Sequence, residues 1–584
     1  MSKADKDSAC DEMLQTVARY LERLYPDKNS SKLARRLMRT MELDKHCSPP
    51  DPFSNKWDQK NIVLITYGDS ITQSGKRPLR TLRKFLRKYL DGITTTVHIL
   101  PFFPYSSDDG FSVIDYLEVN RQLGSWKDIA AIGEDFRLMA DLVINHCSAE
   151  SEWFRNYLLG KEPGKGYFVE AHPDDDLSAV VRPRSSPLLR EVETVNGTRH
   201  VWCTFSHDQV DLNFRNPEVL RRFVSIINFY INHGVKVFRL DAVAFLWKRP
   251  DSNCINLRET HTMVRLLRSL IEYRDPEAVI ITETNVPNHE NLAYFGNANE
   301  AHVIYNFSLP PLLLNTMVSG DCTHLKAWMM RMPPPRNGTA YLNFLASHDG
   351  IGLRPVEGLL DDQEVDRLIA TMRAFGGRVS TRKAENGEDK PYEINISLLD
   401  AMQGTISGGL DTWQVQRFVC AHAIMLALEG IPAIYIHSFL GTNNDEQAVE
   451  ESGHARSINR HRWDYEDPTA QLKDDYSHHA RVYRRLRKLI EIRREQRALH
   501  PNATQFTLQL GPQVFGIWRQ SLDRMQSVFA LHNISDTEQV VSLADLNLVA
   551  NQRWLDLISG EDVENLSGEI TLRPYQFAWM SNYI

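Results

Sequence analysis

The chain lacks the features of membrane-spanning and secreted proteins. No run of about 18 apolar residues occurs in it, so no spanning helix is expected. The first residues, MSKADKDSACDEM, contain no apolar core of the kind that a secretory signal requires. We therefore expect a soluble cytoplasmic protein without a membrane partner.

Cysteine is scarce and irregularly placed. The seven cysteines form no Cys-x-x-Cys pair, and their number is odd. This pattern favours reduced cytosolic thiols over a disulfide framework or a zinc site. The pair His478-His479 has no carboxylate or cysteine at ligand spacing, so we expect neither a metal site nor a cofactor.

An excess of basic residues is also missing. The 67 lysines and arginines are outnumbered by 75 acidic residues, which gives a formal net charge of −8. Because nucleic-acid-binding domains are usually basic, mild acidity favours a small-molecule substrate and no nucleic-acid partner. The chain is long and apolar enough to bury a large core. We expect a monomer or a homodimer.

Short apolar runs alternate with amphipathic helical segments from residue 59 onward. This alternation indicates a parallel sheet with helices outside it, and eight strands indicate a closed (β/α)8 barrel, the TIM barrel. Such barrels carry their active sites at the C-terminal ends of the strands. The predicted strands are Ile62–Thr66, Val97–Leu100, Leu138–Val143, Lys236–Leu240, Val279–Thr282, Val303–Tyr305, Tyr341–Phe344 and Ala433–Ile436.

The chain divides into three predicted segments. Residues 1–58 form an N-terminal helical segment and linker, because apolar residues recur at helical spacing and a proline-rich stretch follows. Residues 59–503 form the barrel, α/β in class, with insertions at about 147–206 after the third strand and 350–412 after the seventh. Loops of this length are usually functional. Residues 504–584 alternate with a period of two and predict a small all-β domain of antiparallel strands.

Four charged clusters fall at or just past the ends of predicted strands. One such residue is more often a helix cap or a surface charge, but four clusters at four strand ends of one barrel are hard to explain in that way. Glycoside chemistry needs one carboxylate as a nucleophile and another as an acid, roughly 5–5.5 Å apart in retaining enzymes. The clusters are Asp141–His146, Arg239–Asp241, Glu283–Asn285 and His348–Asp349.

These clusters resemble the four signature regions of the α-amylase superfamily, glycoside hydrolase family 13. The resemblance extends over roughly residues 60–584. It implies that Asp241 is the nucleophile, Glu283 the acid/base and Asp349 the stabiliser of the transition state. It further implies a glucose subsite whose lining includes Arg239, His146 and His348.

A narrower resemblance links the chain to the sucrose phosphorylase subfamily, through the segments Pro101–Asp115, Arg182–Arg184, His348–Gly352 and Ile458–His461. It implies that Asp109 and Arg460 pair across the end of the glucose pocket and leave room for a single glucosyl unit. It also implies an aromatic platform, Phe111, and a second apolar wall, Phe205.

Phosphorolysis is the reaction that this subfamily resemblance implies. Arg184 in the first insertion and Tyr392 in the second match the phosphate-binding positions, and the planar fork of arginine suits phosphate. Inorganic phosphate would then be a substrate. The expected reaction is a double displacement with retained configuration, in which an α-glucoside and phosphate give α-D-glucose 1-phosphate and a small acceptor.

Two departures from sucrose phosphorylase lie on the acceptor side. The subfamily's Glu-Val-His becomes Glu283-Thr284-Asn285, and its Tyr-Gln becomes Tyr392-Glu393. These changes resemble relatives that act on glucosylglycerol, glucosylglycerate or phosphorylated sucrose. Acidic residues are numerous in the second insertion, and a carboxylate at Glu393 suits two hydroxyls of glycerol.

We therefore favour a 2-O-α-D-glucosylglycerol phosphorylase that releases glycerol. Glucosylglycerate phosphorylase is the alternative, followed by sucrose 6-phosphate and sucrose phosphorylase. A hydrolase or transglucosidase without a preference for phosphate, and an inactive barrel that serves as an interaction subunit, are competing functions of other classes.

Overall fold

The computed structural model describes residues 3–51, 53–183, 186–249, 251–383, 389–549 and 552–582. Eight parallel strands close into a barrel, in which each strand pairs with its neighbours in chain order and the first pairs with the last. The predicted (β/α)8 fold is confirmed, and each strand lies within two residues of its predicted bounds. The strands are β1 (Val63–Thr66), β2 (Thr96–Ile99), β3 (Arg137–Val143), β4 (Val235–Asp241), β5 (Val279–Thr282), β6 (Val303–Tyr305), β7 (Ala340–Asn343) and β8 (Ile431–Tyr435).

The barrel strands are apolar along nearly their whole length because both of their faces are buried. All four residues of β1, β2, β5 and β7 are buried. The side chains of one face fill the interior of the barrel, and those of the other face pack against helices. These strands therefore appear in the sequence as continuous apolar runs. The larger helices of the outer layer are Pro78–Tyr89, Trp126–Asp135, Pro217–Asn232, Arg258–Arg274, Leu309–Ser319, Gln414–Ala427 and His478–Arg494.

Shorter helices connect the barrel elements. They are Asn288–Leu292, Thr323–Met329, Ile436–Leu440, Glu446–Ser452 and Glu466–Gln471. Within the described ranges, no helix combines the length and the apolar content that crossing a membrane requires.

Both insertions carry secondary structure of their own. The first, after β3, contains the paired strands His146–Ser148 and Gln209–Asp211, the helix Glu152–Leu158 and the hairpin Leu189–Thr194 with Gly197–Trp202. The second, after β7, contains the helices Asp362–Ala374 and Leu398–Ala401 and a sheet of Ile351–Gly352, Arg378–Lys383 and Asp389–Asn395. Since both follow the C-terminal ends of strands, both stand over the mouth of the barrel.

The C-terminal segment is an antiparallel five-stranded sheet whose two faces are both buried. Phe515 and Ile517 pack into the core of the barrel, whereas Val514 and Phe529 belong to a separate core on the other face. This arrangement produces the period of two seen in the sequence. In spatial order the strands are Thr504–Leu508, Val514–Gln520, Ser527–Asn533, Phe577–Asn582 and Trp554–Asp556, and Gln539–Ser542 pairs separately with Glu569–Leu572.

The N-terminal segment contains two helices, Lys3–Leu24 and Ser30–Thr40, which pack on the outer helices Arg258–Arg274 and Pro217–Asn232. A disulfide joins Cys10 to Cys47, 37 positions later, and the other five cysteines are buried free thiols. The expectation of reduced thiols throughout is therefore wrong for this pair. The fold of the helical segment brings the two residues together, and their spacing along the chain does not reveal that.

The arginine-rich helix His478–Arg494 exposes most of its arginines on one face, but Arg493 is fully buried. Its Nε donates to the carbonyl of Leu426 at 2.9 Å and its Nη2 to that of Leu499 at 3.0 Å. A third hydrogen bond reaches the carbonyl of Gln59. Arg493 thus ties three separate segments of the barrel together.

Replacing Arg493 with methionine is expected to lower the free energy of unfolding by roughly 3 kcal/mol, because it leaves several buried carbonyls without a donor. The shift of the denaturant midpoint measures this loss. Arg487→Met, on the exposed side of the same helix, is the matched control and is expected to cost less than about 0.5 kcal/mol. Equal losses in the two variants would contradict the role of Arg493.

Candidate active site

The ends of β4 and β5 bring two carboxyl groups into one deep cavity. Asp241 is the last residue of β4 and Glu283 directly follows β5, and both line the cavity. Arg239 Nη1 donates to Asp241 Oδ1 at 2.7 Å, whereas its Nη2 is 4.0 Å from Glu283 Oε2. The backbone N–H of Ala242 donates to Glu283 Oε2 at 2.9 Å. One arginine therefore faces both groups, but at unequal distances.

The unequal distances from Arg239 indicate which of the two carboxyl groups, Asp241 or Glu283, carries the negative charge. Burial raises the pKa of both Asp241 and Glu283, and the neighbouring carboxylates raise each pKa further. A buried pair of this kind retains one proton more readily than it carries two charges. Because Arg239 is hydrogen-bonded to Asp241, the negative charge resides on Asp241 and the proton on Glu283.

Arg239 is held in place by a buried network behind it. Asp141 on β3 forms an ion pair with Arg239 and accepts a hydrogen bond from His98 Nε2 on β2 at 2.7 Å. Burial alone would raise the pKa of Asp141, but His98 and Arg239 outweigh it and lower that pKa to about 2. This permanent charge fixes the orientation of the arginine beneath Asp241.

The third carboxylate, Asp349, lies just past β7 and carries a negative charge. Arg456 Nη1 is 2.6 Å from Asp349 Oδ1, and His348 Nε2 is 3.4 Å from Oδ2. Burial opposes ionisation, yet the guanidinium groups of Arg456 and Arg460 hold the pKa of Asp349 well below its usual range. Of these three carboxyl groups, Asp241 and Asp349 are therefore ionised and Glu283 is protonated.

Glu393 lines the cavity, but its carboxylate is occupied by Arg456. The two oxygens accept from Arg456 Nε and Nη2, each at 2.9 Å, and Glu393 is only 2% exposed. We expected this carboxylate to bind hydroxyls of glycerol. In the structure its charge is neutralised, and its direct partner is the arginine that also contacts Asp349.

Aromatic rings and two histidines form the deep walls of the cavity. Phe111 stacks on His348 with ring centroids 4.9 Å apart, and Phe205 lies 5.1 Å from His146. His146 Nε2 is 2.9 Å from the carbonyl oxygen of Phe111. Burial lowers the pKa of both histidines, that of His348 to about 3, so both rings are neutral near pH 7. These four predicted residues all line the cavity beside Arg239.

Asp109 and Arg460 form an ion pair, as the family resemblance implied. This ion pair lies at the boundary between two cavities. Both residues line an outer cavity on the far side, whereas their neighbours Asp108 and Phe111 line the cavity of the three carboxyl groups. Arg460 Nε also donates to the carbonyl of His348 at 2.8 Å. The pair and this hydrogen bond separate the two cavities.

Asn285, two residues after Glu283, and Tyr392 lie together in the cavity lining. Asn285 Nδ2 lies 3.5 Å from the hydroxyl of Tyr392, which links the loop after β5 to the second insertion. Both line the cavity. Arg184, the other predicted phosphate ligand, lies outside the described residues.

Several cavity residues were not singled out from the sequence. Gln209 Nε2 is 3.2 Å from His146 Nε2, and Lys248 Nζ forms a 2.6 Å ion pair with Asp211 behind it. Arg354 and Arg456 also line the cavity. Only a three-dimensional arrangement reveals these positions, since they come from separate loops without a shared motif. Among the residues with described positions, no group of three or more His, Cys, Asp or Glu could hold a metal ion.

The fold and this constellation define a glycoside-processing barrel. Residues 86–354 match the model of the α-amylase catalytic domain. Three relatives named as glycoside phosphorylases are 39–43% identical to the chain over at least 90% of its length. The chain therefore belongs to the α-amylase family, glycoside hydrolase family 13, and it is an enzyme of the glycoside phosphorylase class.

Three relatives and one solved structure show where the chain lies within this family. It is 43% identical to a glucosylglycerate phosphorylase of Spirochaeta thermophila over 90% of each chain, and 41% identical to one of Escherichia coli over 97% of this chain and all of the relative. A glucosylglycerol phosphorylase of Marinobacter adhaerens is 31% identical over 70% of this chain and 83% of its own. The crystal structure of a sucrose 6F-phosphate phosphorylase from Thermoanaerobacter thermosaccharolyticum superposes with a TM-score of 0.70 at 25% identity, covering 82% of this chain and 94% of that one.

Proposed function

We propose that this enzyme is a configuration-retaining glucosylglycerate phosphorylase. It would convert the α-glucoside and phosphate into α-D-glucose 1-phosphate and glycerate. The observation that carries this proposal is the gap in similarity between two groups of relatives. Three proteins named glucosylglycerate phosphorylase are 39–43% identical over at least 90% of the chain, whereas the glucosylglycerol phosphorylase is 31% identical over 70%.

The charges of the cavity support the same choice over glucosylglycerol. Our preference for glycerol depended on a free carboxylate at Glu393, but Arg456 occupies both of its oxygens. The strongest reason for a neutral polyol acceptor is therefore removed. An anionic acceptor such as glycerate is compatible with an acidic residue whose charge is already paired.

The proposed first step is attack by Asp241 on the anomeric carbon. Arg239 keeps Asp241 ionised, and Glu283, which carries the proton of the pair, donates it to the leaving oxygen of glycerate. Asp349 remains charged and would hold sugar hydroxyls while positive charge develops on the ring. The result is a covalent glucosyl-enzyme and free glycerate.

The second step reverses this chemistry with phosphate. Glu283, now ionised, takes a proton from phosphate as a phosphate oxygen attacks the anomeric carbon and the bond to Asp241 breaks. Two inversions leave the configuration unchanged. Arg184 and Tyr392 are the proposed phosphate ligands, and Asn285 and Glu393 would shape the acceptor side, Glu393 through Arg456. Asp109, Phe111, His146, Phe205, His348 and Arg460 would form the glucose subsite.

Replacing Arg456 with glutamine is expected to move the acid limb of the pH–rate profile to higher pH. Arg456 lowers the pKa of Asp349 against the opposing effect of burial. Without it, Asp349 takes up a proton at a higher pH, and the charged form required for the reaction is lost earlier on acidification. The profile of kcat/KM against pH measures this shift. An unchanged acid limb would show that Arg456 does not control Asp349.

Running the reaction backwards tests the proposed function. α-D-glucose 1-phosphate is supplied with glycerate, glycerol, fructose or fructose 6-phosphate, and phosphate release is measured for each acceptor. We expect the highest kcat/KM with glycerate. A higher value with any other acceptor overturns the proposed substrate, and glucose release at the same rate with or without phosphate in the forward direction overturns phosphorolysis itself.

A further inference from the structure

Among the described residues, one cation of the cavity lining has no carboxylate at ion-pair distance. Three arginines, Arg239, Arg354 and Arg456, are found among the described residues that line it. Arg239 is paired with Asp141 and Asp241, and Arg456 with Asp349 and Glu393. Arg354 differs, since no carboxylate among the described residues lies at ion-pair distance from its guanidinium. Its side chain is partly exposed to the cavity.

Arg354 lines the cavity just after a short strand that passes close to Asn285. This strand, Ile351–Gly352, belongs to the second insertion, and a Cβ on Gly352 would approach Asn285 Nδ2 to 3.1 Å. The next residue, Leu353, donates its N–H to the carbonyl of Tyr392 at 2.9 Å. The segment that leads into Arg354 therefore adjoins Asn285 and Tyr392, and all three residues line the same cavity as Glu283.

The backbone on both sides of Arg354 is anchored. The Leu353 hydrogen bond precedes it, and the carbonyl of Pro355 accepts from the hydroxyl of Ser308 at 3.0 Å. Pro355 and Val356 are buried, and a short 3₁₀-helix begins at Arg354 itself. A charged group on such a fixed base is well suited to orient a ligand rather than to move with solvent.

An anion that enters this cavity needs such a cation. Asp241, Asp349 and Glu393 are negatively charged groups of its lining, and two of the three arginines are already committed to them. A carboxylate without a partner would therefore be repelled, because burial among like charges is costly. The guanidinium fork of arginine matches a carboxylate with two parallel hydrogen bonds.

We propose that Arg354 receives the carboxylate of glycerate and thereby determines the preference for an anionic acceptor. This inference rests on the proposed function. It assigns to the loop after β7 a role in choosing the acceptor, in addition to the Asp349 that this loop already carries. The hydroxyl of glycerate that bears the glucosyl unit would then face Glu283, with the carboxylate directed toward the mouth.

The test uses α-D-glucosyl fluoride as the donor, so that the only leaving group is a small fluoride ion and no glycerate product competes for the acceptor side. The glucosyl-enzyme is then offered glycerate, glycerol or phosphate, and the KM of each acceptor is measured. Arg354→Gln is expected to raise the KM for glycerate about 10–100-fold, the range for loss of one charged bidentate contact, and to change the KM for glycerol less than about twofold. Arg354→Lys, which retains the charge without the fork, is expected to fall in between.

The matched control is Arg373→Gln, which removes an exposed arginine on the helix Asp362–Ala374 outside the cavity. A rise in the KM for glycerate that is at least tenfold larger than the rise for phosphate and for glycerol supports the inference. Any smaller difference overturns it, since Arg354 would then be a phosphate ligand or a structural residue. Failure of the proposed function is recognised separately, because the wild-type enzyme itself would then prefer another acceptor.

Discussion

Asp241→Ala is expected to lose at least about 1000-fold of the phosphorolysis rate, because it removes the proposed nucleophile that would form the covalent glucosyl-enzyme. Asp241 is the carboxylate on which Arg239 concentrates the negative charge of the buried pair. The initial rate of α-D-glucose 1-phosphate formation measures the loss. A variant that retains more than about a thousandth of the activity would show that Asp241 is not the nucleophile.

The unfolding temperature of Asp241→Ala shows whether the loss of activity is caused by unfolding of the variant. Burial raises the pKa of Asp241, which means that its charge is unfavourable in the folded protein. Arg239 keeps Asp141 as a partner after the change. We therefore expect Asp241→Ala to unfold at the same temperature as the wild type or higher, and Asp366→Ala, on an exposed helix face, to retain full activity.

Glu283→Gln is expected to lower kcat/KM for the glucoside by about 10²–10⁴-fold, the usual contribution of a general acid. The same variant should retain far more activity on α-D-glucosyl fluoride, because fluoride departs without a proton. Loss of both activities to the same extent would assign Glu283 a role other than proton donation.

The pH profile provides a second measurement for Glu283. Its pKa is raised by burial and by neighbouring carboxylates, so the protonated form persists to higher pH than that of an ordinary glutamate. Activity on the glucoside should fall as the pH rises through that pKa, because the proton donor is then lost. The alkaline limb should be absent when α-D-glucosyl fluoride replaces the glucoside in the first step.

The barrel and the three carboxyl groups could be predicted from the sequence because both depend on patterns within short stretches of the chain. Strands buried on two faces appear as continuous apolar runs, such as Val279–Thr282, and strand ends mark the catalytic face. The bounds of the N-terminal, barrel and C-terminal segments stay predictions.

The electrostatics of the site depend on contacts between distant segments. Arg456 belongs to a loop after β8, yet it neutralises Glu393 in the second insertion and contacts Asp349 after β7. The spacing of apolar and polar residues along the sequence gives no information about contacts among three such distant residues. Charge counted along the second insertion therefore pointed to a neutral acceptor, whereas among the described residues of the cavity Arg354, and not Glu393, lacks an oppositely charged partner.

The ion pair between Asp109 and Arg460 bears on the order of binding as well as on the length of the pocket. Under the proposed function, with that end closed, glycerate would depart through the same opening by which phosphate arrives, and the two would not occupy the enzyme together. We then expect parallel lines in double-reciprocal plots and competition between glycerate and phosphate. Water would enter by the same opening, so the residues that admit phosphate would also determine how much of the glucosyl unit is lost to hydrolysis.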